Sequence, residues 1–194
     1  MITLILGGAR SGKSSFAEKI AYSNGQEKVI YLATAEIKDD EMAKRVALHQ
    51  KNRPQSWKTI EESYKVSKVL SDLKQGRVIL LDCITILVSN LLLKLEDETA
   101  EAKEANIMAE MEKIVKTAND RDLKLIMVSS EVGMGIIPSN SLGREYRDIA
   151  GRVNQYLAHK AEEVYLTCAG LPLAIKEIGL KNLKKFAGEN RDEC

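Results

Sequence analysis

Short runs rich in Ile, Val and Leu recur along the chain, and each is followed by a longer stretch with apolar residues three and four apart. A strand pattern alternating with a helix pattern predicts an α/β protein with a mostly parallel sheet flanked by helices. Strands are expected over Ile2–Leu6, Lys28–Ala33, Val78–Asp82, Leu123–Ser129 and Glu163–Cys168, with a shorter one at Pro172–Lys176. All but the last are almost continuously hydrophobic, as strands buried on both faces of a doubly wound sheet must be. The clearest helix runs from about Asp97 to Asn119. There Ile107, Met108, Met111, Ile114, Val115 and Ala118 form one stripe opposite Glu101, Lys103, Glu110, Glu112 and Lys113, as a surface crossover helix requires. Further helices are expected over Lys13–Asn24, Asp40 to about Lys51, Glu61–Leu73 and Arg144–Ala161.

With 194 residues and neither an internal repeat nor a Pro- or Ser-rich linker, one domain with a continuous core is expected. We assign residues 1–176 to it and read the polar, Lys-rich residues 177–194 as a tail. Balanced charge, 29 Lys+Arg against 28 Asp+Glu, argues against a nucleic-acid binder, which needs a basic excess to neutralise phosphates. Cys83, Cys168 and Cys194 have neither disulfide-framework nor metal-ligand spacing, so a reducing compartment is expected. No window reaches the ~18 unbroken apolar residues of a membrane span. The apolar run in MITLILGGAR is too short for a secretory core, so a soluble cytoplasmic protein is expected.

The strongest local signal follows the first strand. Gly7-Gly8-Ala9-Arg10-Ser11-Gly12-Lys13-Ser14 satisfies GxxxxGK[ST] between a predicted strand and a predicted helix. Glycines let successive N–H groups turn inward, the helix contributes its positive end, Lys13 reaches the β- and γ-phosphates, and Ser14 is placed to ligate Mg²⁺. A dinucleotide fingerprint would need Gly where Ala9 stands. With this loop the α/β pattern becomes a three-layer, recombinase-like P-loop NTPase fold, with ATP or GTP as substrate and Mg²⁺ as cofactor. The acid that organises the metal is expected at the end of a neighbouring strand, where Asp82 stands. Strand-end aspartates also cap helices and make turns. Glu131, after another strand, fits either a ligand position or a solvated loop acid.

A phosphate loop leaves the acceptor open. Three further segments are dense in polar, glycine and aromatic residues: Arg45–Trp57, Glu131–Pro138 and Arg147–Gln155. His49 precedes Lys51, Arg53, Pro54 and Trp57. A neutral imidazole there could attack phosphorus with cations at hand, yet a lone histidine equally fits a solvated helix position. Trp57 fits a stacking platform or a core residue. Arg147, Asp148, Arg152 and Asn154 fit a pocket-facing set or an intrahelical charge ladder.

Taken in order, these segments resemble the bifunctional adenosylcobinamide kinase/adenosylcobinamide-phosphate guanylyltransferase family of cobalamin biosynthesis. The resemblance runs from GGARSGKS at 7–14 through YLATAEIKDDEMAKRVALHQKNRPQSWKTIE at 31–61 and LLDCIT at 80–85. It continues in EVGMGIIP at 131–138 and REYRDIAGRVNQ at 144–155, and closes on AGLPLAIK at 169–176. It implies phosphorylation of the aminopropanol hydroxyl of adenosylcobinamide, then transfer of GMP from GTP to that phosphate, giving adenosylcobinamide-GDP and pyrophosphate. His49 matches the guanylylated histidine of the RxxxHxxxRP segment, with Lys13 as its catalytic partner at the phosphates. Besides the loop, Ala33, Thr34, Ala35, Gln50, Lys51, Asn52, Arg53, Glu61 and Asp82 match nucleotide-contact positions, and a homotrimer is implied. Two positions depart from the family: Leu48 stands where some members carry a second histidine, and Ser130 where asparagine commonly precedes EVGMG. A single-activity small-molecule kinase is the competing enzyme reading. A nucleotide-dependent interaction module is the competing non-enzyme reading, and it leaves the His49–Trp57 cluster unexplained.

Overall fold

The computed structural model describes residues 1–36 and 53–189. The helix expected over Asp40–Lys51, and with it His49, Gln50, Lys51 and Asn52, lies outside the described residues. The described elements are β1 (Ile2–Gly7), α1 (Lys13–Gly25), β2 (Ile30–Ala33), β3 (Lys58–Glu61), α2 (Val66–Asp72), β4 (Val78–Asp82) and α3 (Ile84–Lys94). They continue with α4 (Ala100–Asp120), β5 (Lys124–Ser130), α5 (Ser141–Lys160), β6 (Glu163–Cys168), β7 (Leu171–Ala174) and α6 (Lys176–Glu189).

The strands form one sheet in the order β3-β2-β4-β5-β1-β6-β7. Every neighbouring pair is parallel except β6 and β7. Side chains alternate between faces along a strand, which explains the unbroken apolar runs. Ile2, Leu4 and Leu6 of β1, Ile79 and Leu81 of β4, and Leu125 and Met127 of β5 join the larger core under α2–α5. Ile5, Val78, Leu80, Ile126 and Val128 face the other way and pack with Ala17 and Ala21 of α1. One helix therefore covers the face behind the phosphate loop, in the three-layer arrangement expected of a P-loop NTPase.

Two elements differ from the sequence expectation. β3 begins inside what reads as loop, and its Glu61 ends a strand rather than opening a helix; the helix starts later, at Val66. As an edge strand with burial on neither face, KTIE carries no apolar run to announce it. α3, ITILVSNLLLK, is apolar nearly all round because Ile84, Leu87, Val88 and Leu92 are buried and the rest abut the core, so it shows no helical stripe. The residues read as a polar tail form α6 from Lys176. Lys176 anchors its start by donating to the Ala158 and His159 carbonyls at 3.0 Å and to that of Ala161, at the end of α5.

Candidate active site

β1 delivers the chain into the loop at Gly7, and α1 leaves it at Lys13. A Cβ on Gly7 would stand 2.4 Å from Ser11 Oγ and 2.6 Å from the Thr167 carbonyl oxygen, so only glycine fits. Gly12 takes φ +91° to turn into the helix. Inside the turn, Ser11 N–H donates to the Gly8 carbonyl at 3.3 Å and Lys13 Nζ donates to the same oxygen at 3.0 Å. The lysine thus lies folded across the loop. The β6–β7 turn braces it from outside, Gly170 N–H donating to the Ser11 carbonyl at 2.9 Å. Gly7→Ala is expected to destabilise the fold by about 1–3 kcal/mol, the usual cost of overpacking, and to weaken binding of a fluorescent GTP analogue. Thermal denaturation and an equilibrium titration check this; an unperturbed variant would mean the loop is not built as described.

α1 lies against both β4 and β5, which brings its first turns toward Asp82 at the end of β4. Asp82 Oδ2 accepts the Tyr31 hydroxyl at 2.9 Å. The Arg53 guanidinium sits 3.9 Å from the centroid of the Tyr31 ring and donates to Thr59 Oγ1 at 2.7 Å. Burial and the Asp82 charge both push the Tyr31 phenol well up, keeping it a proton donor. Burial, then Asp82, also pushes the Cys83 thiol up to about 11, with Lys13 among the groups pulling it back. Lys13 is therefore close enough for its charge to be felt at the end of β4.

Glu18 joins this cluster from α1. Burial, then repulsion from Asp82, raises its carboxyl to about 7, with Arg53 opposing. The motif search misses Glu18, although it stands one helical turn beyond Ser14, where i and i+4 share a face. In the unfolded chain it ionises near the ordinary carboxyl value of 4.5 and in the folded chain at about 7. The folded state therefore holds the extra proton between these values, and Glu18's contribution to stability falls as pH rises through that window. Glu18→Gln removes the effect. Its gain in melting temperature over the wild type is expected to be larger at about pH 8 than at about pH 5; an equal gain at both would contradict the shift.

The other positions divide by what they touch. Thr34 is buried: its hydroxyl donates to the Cys83 carbonyl at 2.8 Å and accepts the Cys83 N–H at 2.9 Å. Its N–H donates to the Asp82 carbonyl at 3.2 Å, and its own carbonyl accepts from Asn90 at 2.8 Å. Thr34 thus fastens the end of β2 to the end of β4. Ala33 and Ala35 flank it half-buried, and Glu61 is exposed at the end of β3, in register with Ala33. Trp57 belongs to the core, 5% exposed, with Nε1 donating to the Gln26 carbonyl at 2.8 Å.

Beyond β5, the Glu131 N–H donates to the Gly7 carbonyl at 3.1 Å, and its Oε1 accepts the Gly133 N–H at 2.8 Å. It shapes the loop that leaves the sheet beside the phosphate loop. At the departing position, the Ser130 N–H donates to Thr85 Oγ1 at 3.3 Å, and its carbonyl accepts from Asn154 at 3.2 Å. Both partners contact the Ser130 backbone, so this part of the network does not depend on its side chain. Asn154 is buried, Arg152 reaches Glu104 on α4, and Arg147 pairs with Asp148 beside it. These contacts make α5 a brace for the site rather than an intrahelical charge ladder.

Phosphate loop, strand-end acid and sheet order together make a nucleotide site at the carboxyl edge of the sheet. Residues 3–175 match the family described as cobinamide kinase / cobinamide phosphate guanyltransferase (CobU). The chain belongs to this family. It is therefore an enzyme, a transferase with kinase and guanylyltransferase activities. The bifunctional adenosylcobalamin biosynthesis protein CobU of Escherichia coli is 42% identical over 183 residues, covering 91% of this chain and 100% of that protein. The CobU protein of Salmonella typhimurium is 43% identical over the same shares. The bifunctional adenosylcobalamin biosynthesis protein CobP of Pseudomonas aeruginosa is 40% identical, over 91% of this chain and 98% of that protein. Among solved structures, the ATPase domain of a helicase superposes with a TM-score of 0.48 at 16% identity, over 85% of this chain and 68% of that one. The flagellar accessory protein FlaH of Methanocaldococcus jannaschii gives 0.43 at 14%, over 85% and 70%. No helix among the described residues is long and apolar enough to cross a membrane.

Proposed function

We propose that the loop Gly7–Ser14 positions the triphosphate in both reactions and that His49 carries the guanylyl group between GTP and the acceptor. In the kinase step the aminopropanol hydroxyl oxygen of adenosylcobinamide attacks the γ-phosphorus of ATP or GTP. The bond to the β–γ bridging oxygen breaks, the hydroxyl gives up its proton, and the nucleoside diphosphate leaves. Lys13 supplies positive charge where negative charge moves onto the bridging oxygen, and the loop amides hold the phosphates without reorganising. In the guanylyl step a neutral imidazole nitrogen of His49 attacks the α-phosphorus of GTP, forming a P–N bond as pyrophosphate departs. A phosphate oxygen of adenosylcobinamide phosphate then displaces the imidazole, giving adenosylcobinamide-GDP.

Mg²⁺ fits this site by donor chemistry. It demands oxygen ligands and takes few from protein when phosphates supply the rest, and Ser14 and Asp82 offer a hydroxyl and a carboxylate. Bound there, it would neutralise phosphate charge. Tyr31 orients the Asp82 carboxylate for that role through the 2.9 Å hydrogen bond. We further propose the remaining loop residues Gly8, Ala9, Arg10, Ser11 and Gly12, with Ala33–Ala35, Gln50–Arg53 and Glu61, as the nucleotide-contact set. The working unit is a homotrimer of single-domain chains acting in the cytoplasm on small molecules.

The observation that carries this reading is the phosphate loop closed by Lys13 in a chain of this family. Purified protein supplied with adenosylcobinamide, ATP, GTP and Mg²⁺ is expected to accumulate adenosylcobinamide phosphate and then adenosylcobinamide-GDP, resolved by chromatography. Accumulation of the phosphate alone would instead support the single-activity kinase.

A further inference from the structure

We infer that the loop of residues 132–138 is the landing surface for the corrin macrocycle of the acceptor, beside the phosphate loop that receives its hydroxyl arm. This rests on the acceptor proposed above and adds where its bulk is held. Met134, Ile136 and Ile137 are 84%, 96% and 67% exposed. Isolated exposed apolar residues are ordinary, but neighbouring ones on a single loop mark a contact surface.

The base of this loop is tied at both ends while its apolar side chains stand in water. At the start, Glu131 N–H reaches the Gly7 carbonyl at 3.1 Å and its carboxylate accepts the Gly133 N–H at 2.8 Å. At the finish, Arg144 donates to the carbonyls of Pro138 at 3.0 Å and Ser139 at 2.8 Å, and Asn140 accepts the Gly143 N–H at 2.6 Å as the cap of α5. A tethered loop has already lost part of the entropy that binding would cost.

The occupant follows from position. β5 pairs with β1 so that Ser130 lies opposite Gly7, and the loop therefore starts one strand away from the phosphates. A molecule phosphorylated here presents its hydroxyl to the phosphate loop and must rest its remaining bulk nearby. Corrin rings carry methyl groups and amides around a broad face, a chemistry that suits apolar side chains among backbone polar groups.

The test uses Met134→Ser/Ile136→Ser/Ile137→Ser in the full chain. Wild-type turnover of adenosylcobinamide is measured first, since its absence would overturn the proposed function and this inference together. With turnover established, the variant is expected to raise KM for adenosylcobinamide at least about tenfold, as loss of buried apolar contacts predicts. Its affinity for a fluorescent GTP analogue and its sedimentation coefficient stay at wild-type values. An unchanged acceptor KM with a folded, GTP-binding variant overturns the inference. So does a changed sedimentation coefficient with unchanged acceptor KM, which would make the loop a contact between copies. Ile136→Leu, retaining the apolar surface, is expected to keep the wild-type KM; a loss as large as that of the triple variant would also overturn it.

Discussion

Lys13→Ala is expected to lower both phosphorylation and guanylylation by about 10²–10³-fold, the scale seen when a preorganised charge-stabilising donor is removed. Each reaction moves negative charge onto a phosphate oxygen as a P–O bond breaks, and the Lys13 ammonium is the cation the loop provides for it. In the nucleotide-free protein the ammonium is parked on the Gly8 carbonyl at 3.0 Å, a neutral partner that a phosphate replaces on charge grounds. Removing the side chain costs little in folding, because this hydrogen bond is exposed. The variant should therefore melt near the wild type while losing kcat/KM in both assays. Retention of either activity would show that the loop serves only the other reaction.

His49→Ala is expected to separate the two. Guanylylation should fall at least about a thousandfold, since no other group replaces a covalent nucleophile, while phosphorylation of adenosylcobinamide remains largely intact. The kinase step needs an oxygen nucleophile from the acceptor and charge stabilisation from the phosphate loop, neither of which involves the imidazole. Separate assays with adenosylcobinamide plus ATP, and with adenosylcobinamide phosphate plus GTP, check the division. Equal loss of both in a folded variant would contradict it.

The sequence makes the phosphate loop legible because backbone geometry dictates its residues: the space at Gly7 and the positive φ at Gly12 admit little else. Strands buried on both faces are equally plain, as β1, β4 and β5 show. Hidden are the elements whose environment breaks the usual pattern. β3 lies at the sheet edge and needs no apolar run, whereas α3 is buried too evenly to show a stripe. Within the site, Asp82 is signalled by its place at the end of an apolar strand. Glu18 and Tyr31 are not, because only the packing of α1 over β4 brings them beside it. Thr34 shows the converse: the family pattern marks it as a nucleotide-contact position, and the fold reveals that its hydroxyl ties Cys83 in place.

The most direct test of a histidine-borne guanylyl group is incubation of wild type and His49→Ala with Mg²⁺ and GTP labelled at the α-phosphate, followed by denaturation and recovery of the protein. The wild type is expected to retain label in an acid-labile, alkali-stable linkage that the variant lacks. A folded, GTP-binding wild type that keeps no label, even with pyrophosphate removed, would contradict the covalent mechanism.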